Sequence, residues 1–398
     1  MTENNNRNRK LFKYPNLTPL WIAIFIDVLG FSILFPMAGF FGDLFNTSMT
    51  MIGLIFSVNA MFGFFFGPIL AKLSDKYGRR PLLLVSQFGT CLAFILTAFS
   101  NSLWMLFLAR MIDGMFGGNF PIAKAIISDK VPPKDRSIQM ANVGIAHVLA
   151  ALLGPGIGGV LFTWFGLLGP GLFAAGLTVI TIIITLAMLE ETWPKEKRFQ
   201  SHGSNIEVLP KIRDNESALF ILVLWGFHTT SFTIVMSTLS FFSASVLNLT
   251  PIGISILFMT SGIFRTGIRF TLFKPTIRKL GEDNAIRLGL SIFLVCFFFV
   301  GFSTNVFSLF LLMMLISFSA SLTRGPMNSK ISQTVSPQEQ GKINGLSSAL
   351  DSIAQIIGPL LGPFILDTLP PYWLGIVVAI IAFPALVMSF QKIFAHKN

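Results

Sequence analysis

The stretch Ile127–Gly159 reads ISDKVPPKDRSIQMANVGIAHVLAALLGPGIGG, and about 204 residues later Ile331–Pro363 reads ISQTVSPQEQGKINGLSSALDSIAQIIGPLLGP, in the same register without a gap. The coinciding pairs are Ile127/Ile331, Ser128/Ser332, Val131/Val335, Pro133/Pro337, Ala150/Ala354, Gly154/Gly358, Pro155/Pro359 and Gly158/Gly362, and Asp135 faces Glu339. A polar turn and the apolar helix after it are therefore both written twice. A repeat of about half the chain length means two similar halves rather than a stack of short units.

Working outward, apolar runs of some 18 to 25 residues recur along the whole chain, each long enough to cross a bilayer as a helix. Hydrophobic residues make up 53% of the sequence and charged residues 12%, about half the charge of an ordinary soluble domain; the mean hydropathy is +0.72. Forty-three Phe against three Tyr suit an aromatic surface with little need for polar tips. Twelve spans are expected, near 17–41, 51–73, 82–100, 103–127, 138–163, 167–189, 218–246, 251–273, 285–303, 306–331, 341–366 and 372–391. The expected fold is an all-α integral membrane protein of twelve transmembrane helices in two pseudo-symmetric six-helix bundles, 17–189 and 218–391. The polar stretch 190–217 is the expected cytoplasmic linker, and 1–16 and 392–398 are expected tails.

The basic residues set the orientation. Arg7, Arg9, Lys10 and Lys13 precede span one; Lys76, Arg79 and Arg80 follow span two; Lys130, Lys134 and Arg136 follow span four. The linker adds five more, and Arg278, Lys279, Lys342, Lys392 and Lys397 continue the series. The opposite loops, near Asp43, Asn101, Gly166, Asn248, Asn305 and Asp367, are nearly free of Lys and Arg. Both termini are thus expected in the cytoplasm and the chain in the plasma (inner) membrane. The net charge of +11 is this topology signal and not a basic patch interleaved with aromatics, so nucleic acid is not an expected partner. The first apolar run is too long for a signal-peptide core, and the first span is expected to be retained. Cys91 and Cys296 fall far apart inside apolar runs and suggest neither disulfide nor metal.

Ionisable groups at membrane mid-depth cost several kcal/mol and usually have a function. Asp27 lies about 15 Å into span one, with no basic residue in its own span. Asp113 in span four has Arg110 three residues before it, a spacing at which the two can neutralise each other; alternatively, Arg110 also senses Asp27. His147 and Asp351 are equivalent positions of the repeat, each suited to a titratable site or to hydrogen-bonded packing. His228 is a weaker case of the same kind. Lys124, Arg265, Arg269 and Arg324 lie nearer the cytoplasmic ends and read as interfacial charges that snorkel. Small residues four apart (Gly63/Gly67, Gly114/Gly118, Gly154/Gly158, Gly358/Gly362) permit close helix approach, and Pro155 and Pro359 permit a bend at matching places in both halves. Ser336-Pro337-Gln338-Glu339 has capping-box spacing at the start of span eleven. No nucleophile elbow, phosphate-binding loop or paired His at metal spacing occurs, so neither an enzyme nor a nucleotide-driven pump is expected.

At Gly67–Pro81 the sequence reads GPILAKLSDKYGRRP, which closely resembles the loop between spans two and three of the major facilitator superfamily, with Gly67, Asp75, Gly78, Arg79 and Arg80 in place. Asp27-Val-Leu-Gly30 running on to Pro36 resembles the first-span motif of its drug/proton antiporters. Leu106–Gly114 with Arg110 is similar to the fourth-span motif, and Gly144–Gly159, ending GPGIGG, to the fifth. Spans ten and eleven, with Gln340-Gly341 and Gly358-Pro359, are similar to the tetracycline exporters. The resemblance covers essentially the whole chain and implies the major facilitator fold, with two bundles rocking about a midplane site. It implies gating by Gly67, Asp75, Gly78, Arg79, Arg80, Gly154, Pro155, Gly158, Gly159, Gly358 and Pro359, with Asp75 latching near the start of span eleven. Two departures stand out: Asp113 occupies a place where Gln is more usual, and the loop near Arg278-Lys279-Leu280-Gly281 lacks the acidic residue.

The expected function is proton-coupled antiport of small amphipathic compounds, drug-like or tetracycline-like, by a monomer in the lipid bilayer. It would be driven by the proton gradient, without cofactor or metal. Asp27, Arg110 and Asp113 would couple protons, and Asp27, Phe31, Asn119, His228, Asp351 and Gln355 would bind substrate. The alternatives are a proton-linked carrier for one metabolite, such as a sugar or small acid, and a non-transporting sensor or scaffold that kept the fold.

Overall fold

Bilayer lipid offers no hydrogen bonds, so a chain this apolar folds as helices that satisfy their own backbone. The computed structural model describes residue 14 and residues 17–117, 119–193, 215–335 and 339–391, and among them no strand forms. The longer helices are α1 (Thr18–Leu34), α2 (Met49–Tyr77), α3 (Arg79–Ala98), α4 (Leu103–Phe116), α5 (Asn119–Lys130), α6 (Pro133–Phe165) and α7 (Leu168–Met188). After the linker come α8 (Glu216–Ser245), α9 (Pro251–Thr271), α10 (Phe273–Val300), α11 (Val306–Gln333), α12 (Gln340–Thr368) and α13 (Tyr372–Ser389). A 3₁₀ segment, Phe35–Phe40, and one helical turn, Phe41–Leu44, extend α1.

Among the described residues eleven helical stretches are long and apolar enough to cross a membrane. The fourth expected span, 103–127, is the one not counted among them, because it is divided: α4 stops at Phe116 and α5 begins at Asn119. The carbonyl of Phe116 is taken by the hydroxyl of Ser86 on α3, and the Phe116 ring occupies the space that a side chain at Gly89 would need. Gly118 lies outside the described residues, as do Ser336, Pro337 and Gln338 of the expected capping box and residues 194–214 of the linker.

The chain forms two compact units, one of residues 1–37 and 58–205, the other of 38–57 and 206–398. In the first, α1 packs on α6 and α7, and α3 on α4 and α7; in the second, α8 packs on α12 and α13, and α10 on α11 and α13. These are the same pairings one repeat apart. Gly154 and Gly158 bring α6 onto α1: a Cβ at Gly154 would meet Ser32 at 2.4 Å, and one at Gly158 the carbonyl of Ile33 at 2.1 Å. Gly358 and Gly362 press α12 against Thr233 and Thr238 of α8 in the same way. Pro155 and Pro359 lie inside α6 and α12 without interrupting either.

The second unit contains a further close contact. A Cβ on Gly53 would fall 1.9 Å from the carbonyl oxygen of Pro359. At the start of α2 the carboxylate of Asp367 accepts the backbone N–H groups of Met49 (3.2 Å) and Thr50 (2.6 Å) and the Thr50 hydroxyl (2.5 Å). Large apolar side chains such as Phe88, Trp104, Trp164 and Phe307 remain exposed, as a surface facing lipid requires.

Candidate functional site

Asp27 lies at the middle of α1, half-buried. Its Oδ1 accepts a 2.8 Å hydrogen bond from Nδ2 of Asn119, the residue that opens α5. The break in span four therefore places the amino end of a helix beside the carboxylate, where partial positive charge favours an anion. Asn119 is buried, and its own Oδ1 has no partner among the described residues.

Arg110 is committed elsewhere. Its Nη1 pairs with Asp113 at 3.0 Å and its Nη2 donates to Thr97 at 2.6 Å, while the guanidinium lies over the Phe94 ring at 5.6 Å. Asn59 of α2 donates to both Asp113 Oδ2 and the Arg110 carbonyl, each at 3.0 Å. Phe94 reaches this position because Gly30 of α1 has no side chain; a Cβ there would sit 2.8 Å from the ring. Of the three residues expected to couple protons, Arg110 and Asp113 form one closed cluster, and Asp27 stands apart from it on Asn119. Asn59 and Thr97 were not singled out by the sequence reading, although a lone Asn inside an apolar run was a visible signal. Phe31 is exposed beside Asp27 and stacks on Phe35.

In the second unit Asp351 of α12 accepts the hydroxyl of Thr229 at 2.6 Å and faces Arg324 of α11 at 3.5 Å. The Arg324 guanidinium lies 5.3 Å from the Trp225 ring and 5.1 Å from that of Phe232, both on α8. This corrects the reading of Arg324 as a snorkelling charge, since aromatic rings more than ninety residues away in sequence hold it. Lys124 lies over Phe120 at 4.4 Å. Gln355 is exposed one turn beyond Asp351, and His147, the repeat partner of Asp351, is exposed on α6. His228 is fully buried, its ring packed on Phe293 at 4.8 Å and 3.4 Å from the Thr323 hydroxyl. It therefore belongs to the interior of the unit and presents no surface to a ligand, unlike its expected place in the substrate site.

Around Gly78 the loop signature is a tight knot. Gly78 has φ 108°, a conformation that glycine, lacking a Cβ, adopts at little cost. Arg79, just after it, is buried and binds Asp75 (2.5 Å), Asp129 (3.0 Å) and the Ser74 hydroxyl (2.6 Å). Glu191 receives the backbone N–H groups of Arg79, Thr192 and Trp193, and Arg80 donates to the Leu186 carbonyl. Gly67 lies in α2 near Pro121, and the Gly159 carbonyl takes the Thr163 hydroxyl. The second half repeats the turn at Gly281, φ 76°, but there Asp283 binds Lys330 of α11. The charges are those of Arg79 and Asp129 with the signs exchanged. The acid that the loop lacks before its glycine is thus supplied after it.

A family model described as Major Facilitator Superfamily matches residues 20–273 and 270–394. The chain is 27% identical to the tetracycline resistance protein, class H, of Pasteurella multocida over 363 residues, covering 88% of this chain and 89% of the relative. It is also 27% identical over 370 residues to the multidrug resistance protein MdtG of Proteus mirabilis, with 88% and 89% covered. Among solved structures, a POT family transporter in complex with a thioalcohol-conjugated peptide matches with a TM-score of 0.76 at 15% identity, covering 95% of this chain and 96% of that one. A bacterial homolog of the human lysosomal transporter Spinster matches with 0.75 at 14% identity and the same coverage. These two likenesses carry the fold alone.

Proposed function

Because the chain belongs to the major facilitator superfamily and is a multi-pass membrane protein, we propose that it exports small amphipathic organic compounds, drug-like or tetracycline-like, in exchange for protons. The relatives named as tetracycline and multidrug resistance proteins support the direction and the substrate class. Support for coupling comes from one observation: Asp27 sits mid-span with an uncharged amide as its side-chain partner, while the Arg110 guanidinium is engaged by Asp113 and Thr97. A carboxylate so placed in low dielectric needs either a proton or a bound ligand to offset its charge. Occupancy by one excludes the other, so substrate arrival releases a proton and the gradient drives the cycle.

In this reading Phe31, Asn119, Asp351 and Gln355 contribute to the binding surface, and the knot around Arg79 stiffens the cytoplasmic end of the first unit through the cycle. The protein works as a monomer in the inner membrane with both termini in the cytoplasm. Proteoliposomes enclosing a pH-sensitive dye test it. With an imposed gradient, added compound should trigger proton movement in the native protein and none with Asp27→Asn. Proton movement that survives in the variant would transfer coupling to Asp113 or Asp351. Silence of the native protein with every drug tested would favour a carrier for a specific metabolite.

A further inference from the structure

We infer that Arg324 is the receptor for an anionic group on the transported compound, with Asp351 as the resident counterion which that group displaces. This rests on the export reading for its consequence, but the site itself is built entirely within the second unit.

The first support is the state of the guanidinium. An arginine fork carries five N–H donors and pairs best with oxyanions at about 2.7–2.9 Å, often through two parallel bonds. Arg324 makes no hydrogen bond among the described residues, and its one ionic contact, to Asp351 Oδ1, is long at 3.5 Å. That same oxygen already accepts the short bond from Thr229. The carboxylate is thus fixed by the hydroxyl and not by the guanidinium, and it need not collapse when the guanidinium turns to another partner.

The second support is how Arg324 is held. Trp225 is fully buried and Phe232 half-buried, and both rings lie against the guanidinium at cation–π distance. Contacts with aromatic rings supply no oxygen acceptor, so the N–H donors of the guanidinium still call for an oxyanion. The side chains of Arg324 and Asp351 remain 35% and 29% exposed, so the donors are reachable. Exposed Gln355, four residues after Asp351, lies on the same helix face and adds uncharged donors. In contrast, Arg110 is 2% exposed, with Nη1 held by Asp113 and Nη2 by Thr97. Arg110 and Arg324 have therefore divided: the first holds the fold, the second is presented to ligand. The chemistry that fits is a carboxylate or similar oxyanion on an amphipathic molecule.

The test uses purified full-length protein in lipid nanodiscs, titrated calorimetrically with 2-naphthoate, 2-naphthamide and 2-naphthylmethylammonium. Native protein should bind the naphthoate roughly tenfold or more tighter than the amide, the range for a hydrogen bond to a charged group. Arg324→Gln should abolish that preference, and Arg324→Lys should keep only part of it. Asp351→Asn should tighten naphthoate binding several-fold, because the anion no longer competes. A purely structural ion pair predicts the opposite, with Asp351→Asn and Arg324→Gln losing binding together. That result, or equal binding of the amide or the ammonium compound, would overturn the inference. Transport of the three compounds in proteoliposomes separates the two claims. Charge-selective binding without transport sinks the export reading and leaves the site, whereas transport of the ammonium compound and amide but not the naphthoate sinks the site and leaves export.

Discussion

Two carboxylates of the first unit, Asp27 on α1 and Asp113 on α4, have opposite surroundings, and substitutions should separate them. Asp113 is locked to a buried arginine; removing one partner of such a pair leaves an uncompensated charge and costs about 3–5 kcal/mol. Arg110→Ala is therefore expected to lower the thermal unfolding midpoint in detergent by several degrees, read by scanning fluorimetry. Asp27→Asn preserves shape and can still accept from Asn119, so its midpoint should match that of the native protein while compound-triggered proton movement is lost. Equal destabilisation by the two would mean that Asp27 is a structural residue. The sequence made the depth and rarity of both acids legible, because an acidic residue in an apolar run is visible by itself. It did not make the partners legible: Asn119 meets Asp27 from 92 residues away, and Arg324 meets Asp351 on the next helix by a pairing that no local spacing reports. Arg324 in particular read as an end-of-span charge because its aromatic support comes from α8, which no local pattern reports.

Helix contacts in this protein depend on glycines, and they differ in what they touch. Gly158 of α6 faces the backbone carbonyl of Ile33, whereas Gly362 of α12 faces the hydroxyl of Thr238. Overpacking by one methyl typically costs about 1–3 kcal/mol. Gly158→Ala and Gly362→Ala should both lower the unfolding midpoint, but adding Thr238→Ala should restore much of the loss in the second case. Truncating Ile33 should restore little in the first, because a backbone atom cannot be removed. Rescue of both or of neither would contradict these contacts. The turns at Gly78 and Gly281 make a parallel case. Alanine at either is forced into a conformation costing about 1–3 kcal/mol, and limited proteolysis should find the loop opened. The repeated glycines of α6 and α12 were legible because 3.6-residue periodicity and duplication both pointed at them. The break in span four was not predicted, although Gly117-Gly118 marked it. An apolar run of sufficient length reads as one helix unless a side chain elsewhere, here Ser86, is known to claim the freed carbonyl.

At the scale of the molecule, span lengths and the internal repeat sufficed to anticipate an all-helical membrane protein, since lipid leaves the backbone few alternatives. The grouping of residues into units was less predictable from order along the chain, because Ala38–Ser57 belongs with residues 206–398. Asp367 caps the start of α2, and Gly53 lies against Pro359. Thr50→Val together with Asp367→Asn should therefore weaken the second unit, lowering the midpoint of unfolding monitored from a probe on α12. The same feature bears on synthesis. As the polypeptide leaves the ribosome and enters the bilayer, the segment 38–57 is inserted long before the helices it packs on have been made. It must wait, with the Met49 and Thr50 N–H groups lacking their carboxylate partner, until residue 367 arrives. Two polypeptides cut within the linker and produced in one cell should assemble and restore transport. The later fragment made alone, missing twenty residues of its own unit, should be degraded, and a pulse-chase measurement of its half-life with and without the earlier fragment would reveal the dependence.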